Sequence, residues 1–181
     1  MRIISGKYKG RNLLGFDIDG TRPTMERVKE SLFSMIQLYL PDSIVLDLFS
    51  GSGNLGIEAI SEGAKMTYCV DKNPLACKTI EKNLNTIGAK NCKVLKSDYK
   101  EALRYFNDIH LKFDVIFLDP PYQSNCVEES IKLISEYKLL NNDGIIVCES
   151  NLLDNIIYSN EYSVLKEKKY GNKWIVILKH I

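Results

Sequence analysis

Val45-Leu46-Asp47-Leu48-Phe49-Ser50-Gly51-Ser52-Gly53-Asn54-Leu55-Gly56 is the stretch that decides the fold. A short apolar run from Ile44 to Phe49, interrupted by one carboxylate, enters a glycine-rich turn and then a helical stretch from Leu55 to Glu62. Gly51, Gly53 and Gly56 fit Gly-x-Gly-x-x-Gly, and Asp71 ends the next apolar run 20 residues after Gly51. Glycines at such a junction let backbone approach a ligand, and the later carboxylate suits ribose hydroxyls. The spacing alone also fits a dinucleotide-binding oxidoreductase.

Outward from this junction, strand and helix patterns alternate. Strands are expected at Met66 to Val70, Cys92 to Leu95, Phe113 to Leu118 and Gly144 to Cys148. Helices are expected at Pro74 to Ile87, closed by Gly88, at Tyr99 to Phe106 and at Glu128 to Tyr137. Near-continuous apolar strands between helices indicate a parallel sheet covered on both faces. Upstream, Val28, Leu32, Met35, Ile36 and Tyr39 recur at helical spacing after Thr24, a suitable N-cap, and Pro41 ends the helix. Downstream, Tyr162 to Lys169 and Lys173 to Leu178 flank Tyr170-Gly171-Asn172, a hairpin turn. The expected fold is α/β and Rossmann-like, a mostly parallel seven-stranded sheet ending in an antiparallel hairpin. That is the class I methyltransferase architecture. Residues 1–181 are read as one methyltransferase domain, with a basic extension (1–23), an N-terminal helix (24–40) and a catalytic core (44–181).

Three details turn the glycine loop away from nicotinamide and toward S-adenosylmethionine. Asp47 lies inside the strand, where it suits ordering the loop or binding a cationic amino group through water. Phe49-Ser50-Gly51-Ser52-Gly53 resembles the methyltransferase signature Asp-x-Phe-x-Gly-x-Gly. Ser97-Asp98-Tyr99 follows the third strand, where methyltransferases carry an acid beside the adenine amine. Asp47, Phe49, Ser50, Gly51, Gly53, Asp71, Lys72, Asp98 and Tyr99 are therefore the cofactor-binding candidates. Each acid alone is also explained as a helix cap; three at successive strand ends argue for one shared cleft.

Asp119-Pro120-Pro121-Tyr122 follows the fourth strand. Two prolines fix φ and remove two amide donors, leaving a stiff turn between a carboxylate and an aromatic ring. An amine conjugated to a nucleic-acid base is a poor nucleophile, its lone pair being delocalised. Hydrogen bonds from that amine to Asp119 and the Pro120 carbonyl favour a pyramidal nitrogen, and the carboxylate stabilises positive charge that grows as a methyl group arrives. Tyr122, with Pro121 beside it, suits stacking on an extruded base. Asp119, Pro120 and Tyr122 are the catalytic candidates.

Composition narrows the setting. Hydrophobic residues make up 45% and charged residues 26%, with no apolar run of membrane-spanning length and no signal-peptide pattern, which predicts a cytoplasmic protein. Five cysteines without Cys-x-x-Cys spacing or adjacent histidines argue against zinc and against a disulfide framework, and no metal is expected. His110 and His180 are expected at the surface and Trp174 in the core. The net charge of +1 conceals +3 in residues 1–30 and +3 in residues 160–181 around a centre of −5. Lys7, Lys9 and Arg11, with Tyr8 interleaved, are candidate RNA contacts, as are Arg22 and Arg27 with a structural ion pair as the alternative.

Taken together, the segments Arg2 to Arg11, Arg22 to Glu30, Asp47 to Gly56 and Asp119 to Tyr122 resemble the bacterial 16S ribosomal RNA guanine-N2 methyltransferase family, in order and over nearly the whole chain. The family typically has alanine where Ser50 and Asn54 stand. The resemblance implies a guanine N2 target in small-subunit rRNA, within an assembling 30S particle carrying ribosomal proteins. Competing readings are a DNA adenine-N6 methyltransferase, for whose recognition region the chain has no length left, a protein-glutamine methyltransferase, which would carry Asn-Pro-Pro-Tyr, and a silent RNA-binding assembly factor.

Overall fold

The computed structural model describes residues 1–15, 26–121, 125–150 and 160–181. Thr24, Arg22 and Tyr122 lie outside the described residues. Seven strands form one sheet in the order β3-β2-β1-β4-β5-β7-β6. These are β1 (Ile44–Asp47), β2 (Met66–Asp71), β3 (Cys92–Lys96), β4 (Phe113–Leu118), β5 (Leu140–Ser150), β6 (Tyr162–Tyr170) and β7 (Lys173–His180). The first five pair in parallel, while β7 runs antiparallel to both β5 and β6. The Rossmann-like fold with its terminal hairpin is thus as the alternation of patterns predicts.

Helices α1 (Glu26–Ile36), α2 (Asn54–Ser61), α3 (Pro74–Ile87), α4 (Tyr99–Asp108) and α5 (Cys126–Glu136) cover the sheet. Pro74 starts α3 behind the Asn73 cap, and Gly88 ends it at φ +72°, a backbone region that glycine enters without strain. One core joins α4 and α5 to Leu46, Leu48, Ile116, Leu118, Ile146 and Cys148; a second joins α1 and α2 to Val45, Val115, Phe117, Ile145, Val147, Ile175 and Ile177. The two sets alternate along each strand, as a sheet buried on both faces requires.

Two expectations need correction, and one buried lysine was not foreseen. The regular part of α1 stops at Ile36, before Pro41, and a single 3-10 turn (Gln37–Tyr39) finishes it. Trp174 is half-buried rather than core, because it stands second in β7, near the end of that strand, opposite Lys169. Lys29, on the polar side of the helical pattern, is 1% exposed, for a reason that lies in α2.

The basic N-terminus is a small hairpin pinned to this frame. Arg2 bridges Asn12, and Ile3 N donates to Arg11 O at 2.9 Å. Tyr8 is buried with Ile3, Leu13, Ile57 and Ile60, so this ring anchors the hairpin and is not offered to RNA. Gly6 holds φ +73°, and a Cβ there would lie 1.8 Å from the Ser61 carbonyl oxygen. Gly6→Ala is expected to lose about 2–4 kcal/mol, combining left-handed strain with overpacking against backbone. Thermal unfolding and limited proteolysis of the hairpin check this; an unchanged midpoint would mean that the contact yields at little cost.

Candidate active site

The carboxyl edge of the parallel strands collects the ionisable residues. On the α1/α2 face, the alternation that buries Val45, Val115, Phe117, Val147 and Ile175 continues, two residues on toward this edge, to Asp47, Asp119, Glu149 and Lys173. The adjacency of β1 and β4 brings loop and tetrapeptide together: Leu48 N donates to Phe117 O at 3.2 Å, just before each motif. Asp119 is about one-fifth exposed, at the mouth of this edge.

Asp47 is 1% exposed, and its Oδ2 accepts the Gly56 amide of α2 at 2.9 Å. Burial pushes its carboxyl up to about 7, the Gly56 hydrogen bond opposes that rise, and Asp119 and Asp71 add to it. Asp47 therefore orders the loop, the first of the two roles its position suggested. Gly56 is the close approach that makes this possible, since a Cβ there would lie 2.6 Å from Cys69 Sγ and 3.2 Å from Asp47 Oδ2. Ser50, also buried, donates from Oγ to Asp47 O at 2.7 Å and from N to Val70 O at 2.9 Å.

Asp71 clasps the same loop from β2. Its Oδ2 accepts Gly51 N at 2.9 Å and its Oδ1 accepts Asn73 N at 2.8 Å. Gly51 holds φ +53°, with open space where a Cβ would stand. Asp98 caps α4 by accepting Lys100 N at 2.9 Å. Capping and ligand binding are compatible here, because a carboxylate has about four acceptor positions. Phe49 and Tyr99 lie with ring centroids 5.4 Å apart, a wall between loop and Asp98, and the Tyr99 hydroxyl donates to Glu129. Lys72 is exposed beside Asp71. An open glycine turn with carboxylates at the ends of β2 and β3 offers hydrogen-bond acceptors of the kind an adenosyl ligand requires.

Lys7, Lys9 and Arg11 are all exposed on the N-terminal hairpin, and Arg27 is exposed on α1. Asn83, buried in α3, accepts Leu14 N at 2.8 Å and donates to Ser52 O at 3.1 Å, tying the end of the hairpin segment to the glycine loop. His110 is exposed; His180 is half-buried, its ring 4.7 Å from that of Tyr162. Among the described residues, no group of three or more His, Cys, Asp or Glu side chains is placed to hold a metal.

The sequence reading missed two residues. Lys173 Nζ lies 3.3 Å from Asp119 Oδ1 and also pairs with Glu149. Burial raises the Glu149 carboxyl, Asp119 adds to the rise and Lys173 opposes it. The signal for Glu149 was present: Cys148-Glu149-Ser150 puts an acid at the end of the fifth parallel strand, as at the others.

Residues 1–179 match the family described as Conserved hypothetical protein 95. The Haemophilus influenzae protein named Ribosomal RNA small subunit methyltransferase D is 36% identical over 174 residues, covering 94% of this chain and 89% of its own. The chain belongs to this family. The Bacillus subtilis protein YlbH is 43% identical over 150 residues, 82% of each chain. The solved Escherichia coli structure of yhhF superposes with a TM-score of 0.87 at 29% identity, covering 99% of this chain and 97% of that one. Family membership thus extends over the basic hairpin as well as the core, which generic amino-methyltransferase motifs do not. Among the described residues, no helix is long and apolar enough to cross a membrane.

Proposed function

We propose that this enzyme transfers a methyl group from S-adenosylmethionine to the exocyclic N2 of a guanine in 16S ribosomal RNA, in the cytoplasm and on an assembling 30S particle. The observation that carries the reading is Asp119 at the mouth of the carboxyl edge, one strand across from the glycine loop. The relatives' names supply the small-subunit rRNA.

The cofactor supplies an electrophilic methyl group on a sulfonium. Gly51, Gly53, Ser50 and Phe49 would form its cradle, Asp47 would keep that cradle in shape, and Asp71 with Lys72 and Asp98 with Tyr99 would take its ribose and adenine. Asp119 and the Pro120 carbonyl would accept the guanine amine's two N–H groups, freeing the nitrogen lone pair from the ring. Asp119 then stabilises the ammonium character that develops. Pro121 and Tyr122 would hold the base, while Lys7, Lys9, Arg11, Arg22 and Arg27 would face RNA phosphates.

Labelled methyl transfer to undermodified 30S particles, naked 16S rRNA and DNA, read by nucleoside mass spectrometry, tests this. The expected product is N2-methylguanosine, formed fastest on the particle. N6-methyladenine on DNA would overturn the substrate, and no transfer despite cofactor binding would overturn the enzyme.

A further inference from the structure

The pairing of Asp119 with Lys173 has no counterpart in the sequence motifs, where Asp119 stands alone. Lys173 is the first residue of β7, delivered by the Tyr170–Lys173 end of the hairpin to the tip of β5. Its side chain is 15% exposed and lies between two carboxylates, that of Asp119 at 3.3 Å and that of Glu149, itself 1% exposed. Glu149 belongs to the C-terminal half of β5, which pairs with β7 through Ile145↔Lys179 to Ser150↔Trp174. It is therefore a rigid anchor, whereas Asp119 begins a turn after β4. A lysine held from below by a fixed, buried partner offers its ammonium at one place only.

We propose that Lys173, clamped by Glu149, is a positioning residue for Asp119, fixing the plane of its carboxylate where the substrate amine arrives. The inference rests on the reading of Asp119 in the preceding subsection and deepens it. Two physical needs motivate it. Asp47 and Glu149, both buried, and Asp119 crowd this edge with like charge, which raises the carboxyls of Asp47 and Glu149; Lys173, 3.3 Å from Asp119, is the opposite charge set among them. A carboxylate on a loop also has rotational freedom that an incoming amine would otherwise have to freeze, and an ammonium on Oδ1 removes it beforehand. Among the described residues, the charged groups facing Asp119 include Asp47 from β1, Glu149 from β5 and Lys173 from β7.

The test compares Lys173→Met, Lys173→Arg and Glu149→Gln with the wild type. Lys173→Met should lower kcat for methyl transfer at least about tenfold, leave the KM for S-adenosylmethionine within about twofold, and move the acidic limb of the rate profile upward. Lys173→Arg should recover most of the rate, because charge and reach are kept. Glu149→Gln should lower kcat less than Lys173→Met, since the cation remains. Independently of any substrate, the carboxyl carbon of Asp119, observed by 13C NMR and assigned with Asp119→Asn, should titrate at higher pH in Lys173→Met, which removes the cation beside it. A folded Lys173→Met protein with wild-type kcat and an unmoved Asp119 titration overturns the proposal. Wild-type protein that methylates no RNA would overturn the functional reading instead, while the NMR titration would still decide this one.

Discussion

Asp119→Ala should reduce methyl transfer by at least about 100-fold while leaving S-adenosylhomocysteine affinity within a few-fold. The magnitude follows from what is removed. Deleting one fixed electrostatic partner of developing charge costs roughly 100- to 1,000-fold, about 3–4 kcal/mol, in a water-excluded site. Here the same side chain also takes a hydrogen bond from the nucleophile, so charge stabilisation and alignment disappear together. Cofactor affinity should survive, because the loop is ordered by Asp47 on Gly56 and by Asp71 on Gly51, not by Asp119. The fold should survive as well, since Lys173 keeps Glu149 as a partner. Asp119→Asn separates the two contributions: it retains an acceptor but loses the charge, so its rate should fall between alanine and wild type. Single-turnover rates with saturating cofactor, together with calorimetric titration of S-adenosylhomocysteine, measure both quantities. Unchanged turnover in Asp119→Ala would sink the assignment; a parallel collapse of cofactor affinity would move Asp119 from the nucleophile's side of the cleft to the cofactor's.

The parts of this site that were legible in the sequence are those encoded locally. A strand, a glycine turn and a helix N-terminus are consecutive, so Asp47 to Gly56 announces its own geometry. Asp119 is legible for the same reason, because the stiffness of Pro120-Pro121 is a property of adjacent residues. Asp71 and Asp98 were legible as strand-end acids, while the backbone amides they accept, those of Gly51 and Asn73 for the one and Lys100 for the other, are a matter of distance that spacing does not carry. Lys173 was illegible. It reaches Asp119 across 54 residues because β7 runs antiparallel to β5, and register between those strands depends on packing along both faces. Tyr8 misled in the other direction: an aromatic among lysines reads as an RNA contact, yet its ring is worth more buried against Ile57 and Ile60 than exposed. The burial of Lys29 was illegible because helical periodicity counts a lysine as polar surface unless its counter-ion is known. That counter-ion, Glu58, sits on another helix.

Glu58→Ala is expected to destabilise the protein by about 3–5 kcal/mol. Lys29 and Glu58 have side chains 1% and 0% exposed, with Nζ 2.7 Å from Oε2. Lys29 is completed by Arg2 O and Asn54 Oδ1, both at 2.8 Å. Glu58 is completed by the amides of Ile4 and Ser5, each 3.0 Å from Oε1. Both charged groups are thereby fully partnered, and three pieces of chain meet there: the basic hairpin, α1 and the helix behind the glycine loop. Removing Glu58 strands a buried ammonium and takes the acceptor from two backbone amides at once, a larger loss than deletion of an apolar contact of similar size. Such a cluster need not stabilise the protein relative to an apolar replacement, because desolvating both charges is costly. The double variant Lys29→Met with Glu58→Gln therefore provides the discriminating arm: the introduced glutamine side chain can still accept from the Ile4 or Ser5 amide, no charge remains, and more than half of the loss should return. Urea denaturation of the wild type, Glu58→Ala and the double variant, with Lys29→Met and Glu58→Gln singly to complete a double-mutant cycle, reads this directly. A Glu58→Ala loss below about 1 kcal/mol would show that water reaches Lys29 and that the hairpin is held mainly by Ile3, Tyr8 and Leu13. The expected loss, with proteolysis appearing first between residues 1 and 15, would show that one ion pair fastens the basic hairpin to the helix behind the glycine loop.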